Sequence, residues 1–169
     1  MNITIIGMAG AGKSTIGKSM AKKLGYRFID IDKLVEKKSD KNLQELIDTH
    51  GDNALLELEE QTVLELRLNT EDECIISPGG SIVYSDSAME FLDKYSTIVF
   101  LDVSFDVITK RLSNSATRGM VGIKNKSLED LFRERRKLYN KYANITVKLN
   151  KHNRVSETVN KIIKLCFNS

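Results

Sequence analysis

The sequence predicts an α/β domain in which a parallel sheet carries helices on both faces. Three observations support this. Short apolar runs alternate with longer amphipathic segments along the whole chain. The short runs are apolar throughout rather than at every second residue, as strands buried on both faces are. The first run ends at Gly7, where a glycine-rich turn opens a helix.

Ile3 to Ile6 reads as a buried strand. Residues 13–24 read as a helix stopped by Gly25, with Lys18, Lys22 and Lys23 in its later turns favouring the negative end of the helix dipole. Phe28 to Asp32 is the second strand, and residues 33–49 hold helical pieces broken near Ser39 to Asn42. Gly51 opens a Leu- and Glu-rich helix to about Leu68. Cys74 to Ser77 is the third strand, cut by Pro78-Gly79-Gly80, and residues 86–94 form a short helix. Thr97 to Val103 is the fourth strand, followed by a helix at 104–112. Ser113 to Lys126 is polar, contains Gly119 and Gly122, and has no apolar stripe to hold it down. A strong helix at 127–143, a fifth strand from Ile145 to Leu149 and a closing helix at 154–167 complete the chain.

Composition narrows the function. With 169 residues, 41% hydrophobic and 29% charged, the chain fits one globular domain. Lys+Arg 26 against Asp+Glu 23 leaves only +3, mixed along the chain, so no basic stripe argues for nucleic acid. Cys74 and Cys166 match no metal spacing and read as free thiols in a reducing compartment. The N-terminus has no secretory pattern, and no apolar run approaches the ~20 residues of a membrane span. The expectation is a cytoplasmic protein without membrane or nucleic-acid partners.

The strongest motif is Gly7-Met8-Ala9-Gly10-Ala11-Gly12-Lys13-Ser14-Thr15. It fits G-x-x-x-x-G-K-[ST] and lies between a strand and a helix, the context that gives the pattern meaning. Its glycines let backbone N–H groups turn toward a phosphate, and the helix N-terminus adds its positive end. Lys13 can reach the β- and γ-phosphates, and the Ser14 hydroxyl can ligate Mg²⁺. No guanine-reading N-K-x-D is present, since Asn125-Lys126-Ser127 is followed by Leu128. A compact kinase of metabolites or nucleotides fits better than a switch or a motor.

Asp30 and Asp32, two residues apart on a strand, would share one face at its C-terminal end, where ligands bind in such sheets. Asp30 could help hold Mg²⁺ through water, and Asp32 could take the proton of an acceptor hydroxyl. Val99-Phe100-Leu101-Asp102 imitates a metal-orienting strand, but Asp102 reads as a strand-end or helix-cap residue. On helix 127–143, at about 100° per residue, Arg135 falls within the apolar face of Leu128, Leu131, Phe132, Leu138, Tyr139 and Tyr142. An inward guanidinium needs an anionic partner, either a substrate carboxylate or Glu59, which intrudes on an apolar face of its own.

These residues together resemble the shikimate kinase family, within the nucleoside-monophosphate-kinase-like P-loop fold. The resemblance runs from Ile3 to about Ile163. It rests on the P-loop, on Phe28-Ile29-Asp30-Ile31-Asp32 with Glu36, and on Gly51 followed by Leu58-Glu59-Glu60. Pro78-Gly79-Gly80, Arg118, and Arg135 with Leu138-Tyr139 complete it. It implies a single three-layer α/β/α domain over 1–169 with a five-stranded parallel sheet in 2-3-1-4-5 order. It also implies a substrate-binding helical part at about 33–61 and a LID at about 112–125.

The resemblance implies Mg²⁺ and ATP, bound by Gly7, Ala9, Gly10, Ala11, Gly12, Lys13, Ser14 and Thr15, with Ser14 and Asp30 at the metal. Lys13, Asp32 and Arg118 would be catalytic. Arg111 would pack on adenine, and Arg118 would cover the phosphates. Asp32, Gly79, Gly80, Arg135 and the positions of Leu56 and Ser81 would form the acceptor site. The sequence departs from the family pattern at Leu56, where an Arg is usual, and at Ser81, where a third glycine is usual. It also has Gly119 and Lys137 at positions where Pro is common. The implied acceptor is a small hydroxylated carboxylate, shikimate by default, used by a monomer. Homoserine or a similar hydroxy or amino acid is the close alternative. A non-catalytic ATP sensor is the alternative from another class, though a pure binder needs none of Asp32, Arg118 and Arg135.

Overall fold

The computed structural model describes residues 1–114 and 119–167. Its sheet contains β1 (Asn2–Ile6), β2 (Arg27–Asp30), β3 (Cys74–Ser77), β4 (Ser96–Val103) and β5 (Ile145–Leu149). The strands are parallel in the order β2-β3-β1-β4-β5. The connecting helices are α1 (Lys13–Leu24), α2 (Ile31–Ser39), α3 (Leu43–Leu64), α4 (Asp86–Tyr95), α5 (Phe105–Asn114), α6 (Leu128–Tyr142) and α7 (Val155–Phe167). Among the described residues no helix is long and apolar enough to cross a membrane.

β1 and β3 are buried at every residue, which requires cover on both faces and explains their continuous apolar runs. α1 packs with α7, and α4 and α6 pack on β4. The polar residues of β1 are paired in the interior. Asn2 donates to the Asn69 and Tyr95 carbonyls at 2.7 and 2.9 Å, and the Thr4 and Ser96 hydroxyls meet at 2.7 Å. Neighbouring strands β1 and β4 send their connections in opposite directions, to β2 and to β5. That reversal opens a crevice at their C-terminal ends.

Three local differences from the sequence reading bear on the site. β2 stops at Asp30 instead of running to Asp32, because the Asp30 side chain caps α2 by accepting from the Lys33 N–H at 3.3 Å. Asp30 and Asp32 therefore do not share a strand face, and Asp32 sits in the first turn of α2. The helix expected from Gly51 to about Leu68 ends at Leu64; it does open at Gly51 (φ 83°, ψ 173°), which separates it within α3 from the preceding helical piece that starts at Leu43 behind an Asn42–Glu45 capping box. Finally, the polar stretch is held where it is described. Met120 and Val121 are buried, Gly119 N–H donates to Gln44 at 2.8 Å, and Gly122 N–H donates to Asp52 at 2.7 Å. Lys124 pairs with Asp48 at 2.9 Å. Gln44, Asp48 and Asp52 recur every fourth residue of α3, a polar spacing that an apolar-periodicity reading does not weigh.

Candidate active site

A cleft of about 560 Å³ opens at the C-terminal ends of the strands. One wall is the turn after β1. Gly10 (φ 79°) and Gly12 (φ 91°) take left-handed backbone that side chains rarely adopt. Gly12 caps α1 with no side-chain hydrogen bond, so the first N–H groups of the helix remain available to an anion. Lys13 donates to the carbonyls of Gly7 and Met8 at 2.9 and 3.2 Å. Burial lowers its pKa, and Asp32 opposes that shift. Ala9, Gly10, Ala11, Gly12, Ser14 and Thr15 line the same wall. Arg111, from α5, donates to the Gly10 carbonyl at 2.8 Å and so lies against the phosphate turn.

The opposite wall is assembled from distant segments. Asp32 lines it from α2, Glu59 from α3, Gly79, Gly80 and Ser81 from the turn after β3, and Arg135 from α6. Asp32 Oδ1 is buried and has no hydrogen-bond partner. Burial raises the Asp32 pKa, Lys13 lowers it, and Asp30 adds to the rise. Glu59 is 2% exposed, and its Oε2 accepts the Ser81 hydroxyl at 2.6 Å. Burial pushes its carboxyl up to about 7, against the lowering effect of the Ser81 bond. Gly79 lies between the two acids. A Cβ there would collide with Glu59 Oε1 and fall 2.9 Å from Asp32 Oδ1.

Arg135 is 1% exposed. Its Nη2 donates to the Val121 carbonyl at 2.7 Å and its Nε to the Tyr84 hydroxyl at 3.3 Å. Arg135 and Glu59 make no direct ion pair: Glu59 accepts from Ser81, and Arg135 acts on it only through its charge. Asp102 lies at the end of β4, as expected of a strand-end residue. It accepts a two-pronged bond from Arg136 at 2.9 and 2.8 Å.

The cleft thus gathers Lys13, Asp32, Gly79, Gly80, Ser81 and Arg135, as expected from the sequence. Leu56 does not line it; it is half-buried and packs on the core. Asp30 does not line it either, being engaged at the α2 cap. Arg118 lies outside the described residues. The sequence reading missed Met120, Val121, Asn150, Asn153, Val155 and Thr158, all of which line the cleft. Asn150 and Asn153 were findable, because they follow the C-terminal end of β5, where this sheet type places ligands.

A phosphate turn after β1, a five-stranded sheet in this order and an acid-and-arginine wall across the cleft define the class: a P-loop kinase of small molecules. The comparisons with known proteins give the family. The shikimate kinase family model matches residues 9–166. A shikimate kinase from Rippkaea orientalis is 34% identical over 169 residues, covering 97% of this chain and 87% of its own length. One from Staphylococcus aureus is 38% identical over 142 residues, 83% of this chain and 80% of its own. The structure of a shikimate kinase from Acinetobacter baumannii in complex with shikimate superposes with a TM-score of 0.87 at 25% identity, over 99% of this chain and 93% of that one. The shikimate kinase of Aquifex aeolicus gives 0.81 at 29% identity over 100% of both chains. The chain belongs to the shikimate kinase family.

Proposed function

We propose that the protein transfers the γ-phosphoryl group of ATP to a hydroxyl of shikimate, with Mg²⁺ as the accompanying cation. One observation carries this reading: the buried, unpartnered Asp32 Oδ1 shares a cleft with the N-terminus of α1 and Lys13 on one side and the buried Arg135 on the other. An unsatisfied buried acceptor costs stability and is retained where a ligand supplies the missing donor. An acceptor hydroxyl is such a donor.

The phosphates rest on the N–H groups of Gly10 to Ser14, and Lys13 leaves the Gly7 and Met8 carbonyls to meet the transferred group. Asp32 holds the acceptor hydroxyl in line and receives its proton as the new O–P bond forms. Arg135 binds the acceptor carboxylate, which fixes the other end of the molecule. Ser14 in the cleft wall fits a cation that would arrive with nucleotide phosphates and water, and Asp30, engaged at the α2 cap outside that wall, is assigned to the cation on the resemblance alone. When bound, Mg²⁺ neutralises charge on the phosphates. Arg118 is assigned to cover them on the resemblance alone. Every residue invoked comes from one chain, so the reading needs no second copy.

A second reading, a smaller hydroxy or amino acid as acceptor, is favoured by Leu56, which leaves Arg135 as the guanidinium of the acceptor wall. Acceptor-dependent ADP release with shikimate, homoserine, gluconate and nucleoside monophosphates tests both readings. Shikimate is expected to give the highest kcat/KM. Faster turnover of homoserine establishes the second reading, and ATP binding without acceptor-dependent release leaves only a sensor.

A further inference from the structure

Arg135 can hold a carboxylate only if its guanidinium plane is fixed, and the side chain that fixes it from the outer side is Tyr84. This residue ends the 3₁₀ turn Ile82–Tyr84 that follows the Gly79–Ser81 wall. Its ring lies under the guanidinium, with Arg135 Cζ 5.3 Å from the ring centre. Its hydroxyl accepts from Arg135 Nε at 3.3 Å and donates to Glu134 Oε1 at 2.6 Å. A phenol has one hydrogen, so these two bonds depend on each other. Because the hydrogen goes to Glu134, the oxygen turns its lone pairs to Nε. Glu134 is itself held by an ion pair with Lys126. Burial, aided by Glu134, raises the Tyr84 pKa, so the phenol keeps that hydrogen at neutral pH.

Nε is on Tyr84 and Nη2 on the Val121 carbonyl, and the Tyr139 hydroxyl, which donates to the Gly80 carbonyl, bonds the guanidinium from the cleft side, where Nη1 is the nitrogen nearest the wall. It lies beside Gly80, where a Cβ would sit 3.3 Å from it. We infer that Tyr84, oriented by Glu134, is a positioning residue that aims Arg135 Nη1 at the acceptor carboxylate. The inference rests on the reading of Arg135 given under the proposed function. It assigns specificity to two residues outside the cleft wall, and it offers a reason why one guanidinium suffices where Leu56 stands: a preorganised donor loses less freedom on binding.

Two measurements on Tyr84→Phe, Glu134→Gln and the double variant test this. The first is the Arg135 Nε–H signal in NMR spectra of the protein without acceptor. It should be sharp and protected in the wild type and exchange-broadened in Tyr84→Phe, which keeps the ring but removes the hydroxyl. The second is steady-state kinetics with shikimate. Each single variant should raise the acceptor KM roughly five- to tenfold, with kcat and the ATP KM held within about twofold. The double variant should be no worse than Tyr84→Phe, because the two act in series. An unchanged acceptor KM in folded variants, or an unchanged Nε–H signal, overturns the inference, as does a loss of thermal stability with no KM effect. A wild type that ignores shikimate overturns the functional reading instead, and the Nε–H signal then decides alone whether Tyr84 fixes Arg135.

Discussion

The phosphate side of the cleft is one run of nine residues, Gly7 to Thr15, whereas the acceptor side draws Asp32, Glu59, Gly79 to Ser81, Val121 and Arg135 from five separated stretches. The first is shaped by its own backbone: three positive-φ glycines, a helix start and a lysine folded onto its own loop. The second is held by cross-chain bonds, Ser81 to Glu59, Tyr84 to Glu134, and Arg135 to Val121. A self-contained turn keeps its geometry in any sheet that supplies the strand and the helix. An assembled wall can exchange one member for another if the hydrogen bonds are replaced. In this chain the Ser81 hydroxyl ties down the buried Glu59.

Several substitutions should sharpen that contrast. The largest effects are expected at the residues proposed to meet the transferred group. Lys13→Ala and Asp32→Asn should each lower kcat by about 100-fold or more while circular dichroism stays native. A folded variant with near-wild-type turnover would remove that residue from the chemistry.

Next comes the acid buried in the acceptor wall. Glu59 titrates near 4.5 when solvated and is pushed up to about 7 in the fold. Between those values the folded state keeps a proton that the unfolded state has released. Rising pH then favours unfolding, and the stability present below the lower value is lost through the upper one. Glu59→Gln should remove this slope, so the unfolding free energies of wild type and variant should diverge between about pH 5 and 8, by up to about 3 kcal/mol. Parallel curves would mean that Glu59 is ionised throughout.

A smaller effect is expected at Leu56. It lies one helical turn before Glu59, so a long side chain there reaches the same face of α3. Leu56→Arg should lower the KM for shikimate by roughly three- to tenfold if the wall accepts a second guanidinium. An unchanged KM would mean that Arg135 alone already satisfies the carboxylate. The smallest effect is at Asp102, which is bound to Arg136 away from the chemistry. Asp102→Asn should cost about 1–3 kcal/mol of stability and leave turnover and Mg²⁺ dependence unchanged. A changed Mg²⁺ requirement would restore Asp102 to the metal.

The same contrast explains what could be read from the sequence. The phosphate turn and the inward position of Arg135 were legible because each depends on spacing along one element, and the strand order was legible only through the family resemblance. The end of β2 was misplaced because strand propensity at Ile31 competes with the capping preference of Asp30, and the cap wins. The Ser81–Glu59 bond and the Tyr84–Glu134–Arg135 chain join residues 22 to 51 positions apart, and no local pattern brings them together. The docking of residues 119–126 was hidden because it uses backbone N–H groups and polar side chains of α3 rather than an apolar stripe.

The most direct test of the account is mass spectrometry of the product formed from ATP labelled in the γ-phosphoryl group, with shikimate as acceptor. Wild-type enzyme is expected to yield labelled phosphoshikimate, and Asp32→Asn to yield about 100-fold less in the same time. Labelled inorganic phosphate with no labelled shikimate, or equal product from both proteins, would contradict it.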